Sequence, residues 1–200
     1  ALFPDKEYIA ARGITQALLD NQLSVQLISE HHLKADLMRY PVLVLPETAW
    51  LEEETVALLR RYMEQGGHLI AVGPLAAQYF AGVNMAHPFT TEERQQLARC
   101  LTVEDLDKAA ETLPIAVKRY LEFDGFITGL HALSCAVTPL EGTESAGSLY
   151  EGNAPKGPCS PAATARQVGK GTCTCIWTNI GEKYLLAQRF LVRDFLGGLV

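Results

Sequence analysis

Glu47 and Trp50 are the two side chains of this 200-residue chain whose types and spacing best suit ligand chemistry. An aromatic ring can stack on the C–H face of a sugar while a nearby carboxylate accepts its hydroxyls, a common mix in binding clefts. A simpler account competes: Thr48 caps the helix that follows, Glu47 favours its positive end, and Trp50 packs locally. Glu52-Glu53-Glu54 would suit a cation, but three acids in the first turn of a helix answer equally to its dipole. His31-His32 sit in tandem, and adjacent residues on an extended segment point to opposite sides, which favours loop histidines over a joint metal site. Cys173-Thr174-Cys175 lacks the spacing and the second pair of a zinc site. On a strand, Cys173, Cys175 and Trp177 share one face and read as core. His68 opens a buried strand, and His87 and His131 show no partner in the sequence. No metal and no cofactor are expected.

The elements that must position these residues are clearest between Tyr40 and Gly73. Val42 to Leu45 is an unbroken apolar run, as in a strand covered on both faces. Val56, Leu59 and Met63 then recur at helical spacing, Gly66-Gly67 stops the helix, and Leu69 to Val72 starts a second buried strand. This is a βαβ unit. Its strands end at Pro46-Glu47 and at Gly73-Pro74, the edge where open α/β sheets bind ligands. Glu47, Trp50, Gly73 and Pro74 are therefore the candidate ligand-binding residues, and neither strand end carries a nucleophile.

Around this unit the pattern predicts a helix over 7–20, an alternating strand over 23–28, a helical turn over 33–39 and a helix after Pro74 through Phe80. Thr90-Thr91-Glu92-Glu93 opens a helix with a capping box, and Thr102 before Glu104-Asp105 is a second cap. Shorter strands follow over 115–120, 131–137 and 148–150, separated by turn-rich stretches. The Gly/Pro-dense run 152–158 reads as a surface loop. Segments 162–166 and 172–177 flank a hairpin turn at Val168-Gly169-Lys170-Gly171, and a last helix spans 182–196. The expected fold class is α/β: a doubly wound, mostly parallel sheet with helices on both faces, flavodoxin-like or amidotransferase-like, with extra short strands in the C-terminal half. One domain over 1–200 is expected, its core at 7–82 and 162–200 and a strand-rich irregular region at 88–161.

The chain is 48% hydrophobic and 20% charged with a formal net charge of −6, so it lacks the basic stripe that nucleic acid demands. No apolar run approaches membrane-span length, and no secretory signal is visible. Five cysteines, an odd number, argue for a reducing, cytoplasmic compartment. The chain opens on Ala1 rather than Met, and a module excised from a longer polypeptide is expected.

The order of motifs, from Leu18-Leu19-Asp20-Asn21-Gln22-Leu23 through Ala35-Asp36-Leu37-Met38-Arg39-Tyr40-Pro41 and Tyr62-Met63-Glu64-Gln65-Gly66-Gly67-His68 to Gly169-Lys170-Gly171, resembles the class I glutamine amidotransferase-like fold. It looks most like the trimerisation-type middle domain of beta-galactosidases and related glycoside hydrolases. Active members of that fold carry a cysteine on a strand-to-helix elbow, with a histidine and a glutamate after the last core strand. Here the elbow reads Ala71-Val72-Gly73-Pro74-Leu75, and Trp177 to Glu182 offers Glu182 without a histidine. The resemblance implies a non-catalytic domain of a carbohydrate-active enzyme. Its partners would be a neighbouring catalytic domain or further copies of itself, with carbohydrate as a ligand to be considered. The alternative is a stand-alone small-molecule binder or hydrolase with a displaced site at the strand edge, built on Glu47, His31 and Glu182.

Overall fold

A computed structural model describes residues 6–33, 37–100 and 102–200. The βαβ unit is present: β1 (Val42–Leu45), α2 (Glu53–Glu64) and β2 (His68–Val72) follow the N-terminal helix α1 (Lys6–Asp20), and β1 pairs with β2 in parallel. Val42 and Val44 pack into one apolar cluster and Leu43 and Leu45 into another, so β1 is covered on both faces. After Gly73 comes the four-residue helix α3 (Pro74–Ala77), shorter than the run to Phe80 that the sequence suggested. The chain continues through β3 (Val83–Met85), α4 (Thr91–Arg99), α5 (Val103–Ala109), β4 (Ala116–Phe123), β5 (Phe126–Ser134) and β6 (Val137–Pro139). It ends with β7 (Thr143–Tyr150), β8 (Cys159–Val168), β9 (Gly171–Ile176), α6 (Gly181–Ala187) and α7 (Phe190–Gly197).

The expected doubly wound, mostly parallel sheet is not what forms. The described residues build a mixed seven-stranded sheet in the order β1-β2-β9-β8-β7-β4-β5, and β3 pairs with β6 apart from it. Only β1–β2 and β2–β9 are parallel; the other four pairings are antiparallel. Connection length explains this, since parallel neighbours need a crossover of about a dozen residues or more. Asp124-Gly125, with φ of 52° and 77°, instead joins β4 to β5 by a two-residue turn. Gly169-Lys170 joins β8 to β9 in the same short way. The sheet also curls back on itself. Cys135 N donates to Trp177 O at 3.0 Å and Asn179 N to Leu133 O at 3.0 Å, tying the end of β5 to the extension of β9.

Other expectations also need correction. Residues 23–28 form no strand; Leu23 and Val25 pack on the core, but Leu27 is 75% exposed and β1 takes β2 as its ladder partner. The helical turn expected over 33–39 falls partly outside the described residues, with 3₁₀ turns at Glu30–His32 and Leu37–Arg39 on either side. The last helix is two helices, broken where Gln188 adopts a left-handed φ of 44°. The capping box expected at Thr90 forms with Glu93, and the cap expected at Thr102 forms as a second box with Asp105.

Three apolar clusters hold the sheet. Ile14 and Leu18 of α1, Tyr184 of α6 and Phe195 of α7 pack with Ile70, Leu121 and Ile176 on one side. Leu59 and Met63 of α2 and Ala77 of α3 pack with Leu69, Cys173, Cys175 and Trp177 on the other. The three residues read as one strand face do share that core, and Trp177 is fully buried with its Nε1 donating to Thr164 Oγ1 at 2.9 Å. Leu97 of α4 and Leu106 of α5 form the third cluster with Val117 and Leu133.

Candidate functional site at the strand ends

The carboxyl ends of β1, β2 and β9 meet at Glu47, Gly73 and Trp177. Glu47 is only 5% exposed and turns inward over Gly73. Gly73 has φ 89° and ψ 151°, and a Cβ built there would overlap the Glu47 carboxylate, so glycine is required on both counts. The elbow of the resembled fold is thus a bare backbone whose side-chain space belongs to Glu47. Pro74 is buried at the first position of α3. Trp50 is 47% exposed. The structure therefore brings together Glu47, Gly73 and Pro74 and leaves Trp50 half-exposed to solvent.

Arg94 of α4, only 6% exposed, reaches this loop from below. Its Nη1 donates to Ala49 O at 2.8 Å and to Leu75 O at 3.3 Å, and its guanidinium lies 4.5 Å from the Tyr79 ring centre. Burial pulls the Arg94 pKa down, while the charges of Tyr79 and Glu47 push it back up. One buried cation thus clasps the turn after β1 to the start of α3, and hydrogen bonds to a charged donor are the strong ones. Sequence reasoning passed over Arg94 because a lone arginine in a polar helix carries no local signal. Asn179, also buried, has neither side-chain amide atom hydrogen-bonded among the described residues.

The remaining candidates disperse. Thr48 Oγ1 donates to Trp50 O at 3.0 Å, and the residue at the N-cap of α2 is Glu52, not Thr48, with Glu53 and Glu54 in its first turn. His32 Nδ1 meets Ser29 Oγ at 2.6 Å, and the side chain of His31 lies outside the described residues. His68 Nε2 contacts Thr174 Oγ1 at 2.9 Å, and burial pulls its pKa down. His87 pairs with Glu93 at 2.8 Å, His131 with Asp107 at 3.2 Å, and Glu182 with Lys183 at 3.2 Å. Among the described residues no three His, Cys, Asp or Glu side chains group to hold a metal, and no helix is long and apolar enough to cross a membrane. A groove of about 860 Å³ lies elsewhere, along the outer side of α2 between Glu30 and Gln65.

Comparison with known proteins is decisive on the family. A family model described as the beta-galactosidase trimerisation domain matches residues 15–194. This chain belongs to the beta-galactosidase trimerisation domain family. No curated protein matches it. Among solved structures, Gan42B, a GH42 beta-galactosidase from G. stearothermophilus, is 18% identical with a TM-score of 0.60 over 100% of this chain and 26% of that one. The exo-beta-1,4-mannosidase Op5Man5 from Opitutaceae bacterium strain TAV5 is 12% identical, with a TM-score of 0.63 over 96% of this chain and 30% of that one. A protein of Salmonella typhimurium described as cytoplasmic is 13% identical, with a TM-score of 0.56 over 94% of this chain and 85% of that one. The trimerisation-domain chain thus spans about a quarter to a third of the two enzymes' length, and none of these descriptions names an amidotransferase.

Proposed function

We propose that this trimerisation-family domain is the non-catalytic assembly part of a glycoside hydrolase, holding copies together or packing against a catalytic domain. The observation that carries the reading is the family match across residues 15–194, which takes in nearly every element of the fold. The geometry at Gly73 supports it, because a nucleophile there would need the space that the Glu47 carboxylate fills. The competing reading, a displaced active site, called for a deep pocket at the strand ends with Glu47, His31 and Glu182 as members; Glu47 instead packs over Gly73, and Glu182 pairs with Lys183. Contact with carbohydrate is proposed for Trp50 alone of the four strand-end residues, since Glu47 and Pro74 are buried and Gly73 has no side chain to offer. A single domain over 1–200 within a longer, cytoplasmic enzyme completes the proposal.

The test is the mass of the purified chain in solution by light scattering across a range of concentrations. Self-assembly predicts a species at three times the 21.9 kDa protomer. A protomer mass at every concentration would remove self-association and leave packing against another domain as the only assembly role.

A further inference from the structure

Cys173 and Cys175 play no part in the strand-end site. They stand two residues apart on β9, so their side chains leave the same face of the sheet. Their Sγ atoms lie 3.9 Å apart, and the two residues are 1% and 3% exposed. Strand pairing fixes this spacing from both sides. Leu69 and Ala71 of β2 stand opposite the two cysteines in one ladder, and Arg166 and Thr164 of β8 in the other. The cover is α3 with the turn after it: Ala77 O lies 3.6 Å from Cys175 Sγ, and Phe80 O 3.9 Å from Cys173 Sγ. Leu69, Phe80 and Trp177 belong to the same apolar cluster as the pair.

The surroundings of the pair are cationic. Arg166 stands opposite Cys173 in register, and its side chain lies across Gly82, where a Cβ would overlap its Cδ. Arg60 of α2 donates to Tyr79 O at 3.1 Å, one residue before Phe80. The hydrogen bond from Cys175 draws the Cys173 pKa down against the effect of burial, and the charges of Arg166 and Arg60 draw it further. Donating that bond, together with burial, raises the pKa of Cys175. Two sulfurs so placed suit one kind of ligand. Metal–thiolate bonds are about 2.3 Å long, so two of them bridge sulfurs up to about 4.6 Å apart. Thiolates favour soft ions such as Cu(I). Structural zinc takes four donors, and among the described residues no third His, Cys, Asp or Glu joins the pair. A disulfide needs its sulfurs about 2 Å apart, an approach that the two ladders oppose. We propose that Cys173 and Cys175 form a two-coordinate site for a soft monovalent ion, Cu(I), with Arg166 and Arg60 offsetting the one net negative charge of the loaded pair. Loading replaces two S–H bonds by two S–metal bonds, releases both protons to solvent and transfers no electron. The ion enters by local opening of the four-residue α3. The site is independent of the assembly reading.

Copper titration of the reduced 200-residue chain, with air excluded, tests it. Cu(I) is supplied as its acetonitrile complex in competition with bathocuproine disulfonate. The wild-type chain is expected to withhold one ion from the chelator, and to melt higher when loaded, because the ion binds the folded state. Replacing the other three cysteines together, by Cys100→Ala, Cys135→Ala and Cys159→Ala, is expected to keep that ion. Cys173→Ala and Cys175→Ala are each expected to lose it. Melting of the copper-free variants by circular dichroism establishes that they are folded. Should the triple variant or the single ones fail to fold, the other set decides alone. An ion kept in full by either single variant, or lost by the folded triple variant, overturns the pair as the site. A wild-type chain that yields all its copper to the chelator, or that melts lower when loaded, overturns the proposal outright.

Discussion

At the start of α4, Glu93 accepts the Thr90 backbone N–H at 2.8 Å and pairs with His87 at 2.8 Å. Donation by Thr90, then by His87, holds its pKa below the ordinary 4.5. A depressed carboxylate adds stability that is complete above its unfolded value and is lost as pH falls through the folded one. Glu93→Gln should therefore melt lower than wild type near neutrality, with the gap closing between about pH 5 and about pH 3. Melting temperature against pH measures this, and a gap constant across the range would refute it. Gly73→Ala meets both a positive φ and the Glu47 carboxylate, and should cost about 2–3 kcal/mol in urea unfolding. In a Glu47→Ala background that cost should fall by about 1 kcal/mol, whereas equal costs would show that the two residues do not touch. The capping boxes were legible because their partners are three residues apart. Arg94 was not, because its acceptors at Ala49 and Leu75 are far away in sequence.

At the scale of elements, α1 and α6 meet backbone to backbone. A Cβ at Gly13 would overlap Gly181 O, and one at Gly181 would sit 2.4 Å from Ala10 O. Helix propensity alone favours alanine over glycine by about 1 kcal/mol. Gly13→Ala should nevertheless destabilise by about 2–3 kcal/mol, because two backbones must separate to admit the methyl. A raised melting temperature for that variant would show the helices to be further apart. Tyr184 OH donates to Asp20 Oδ2 at 2.5 Å, and Asn21 Nδ2 to Arg193 O at 2.7 Å, stitching α1 to both C-terminal helices. These bonds accompany the break at Gln188 that divides the final helical run. Its hydrophobic spacing continues through the break, so the sequence reads as one helix.

For the whole molecule, assembly links stability to concentration by mass action. A trimer of this size should melt roughly 2–4 °C higher for each tenfold rise in protein. A melting temperature independent of concentration would argue against any self-association of the folded chain. By itself the sequence determined what local contacts decide: the β1–α2–β2 unit, the glycines that end α2, the helix caps at Thr90 and Thr102, the hairpin before β9 and the family. The tertiary structure decided the rest. Strand pairing joins residues far apart in the chain, so neither the strand order nor the antiparallel majority follows from periodicity. Residues 23–28 show why, since an alternating pattern marks a half-buried segment but cannot supply the neighbour a ladder requires. Only packing could show that Glu47 turns inward over Gly73, and that the aromatic pair facing solvent is Phe126 with Phe190, their ring centres 5.8 Å apart.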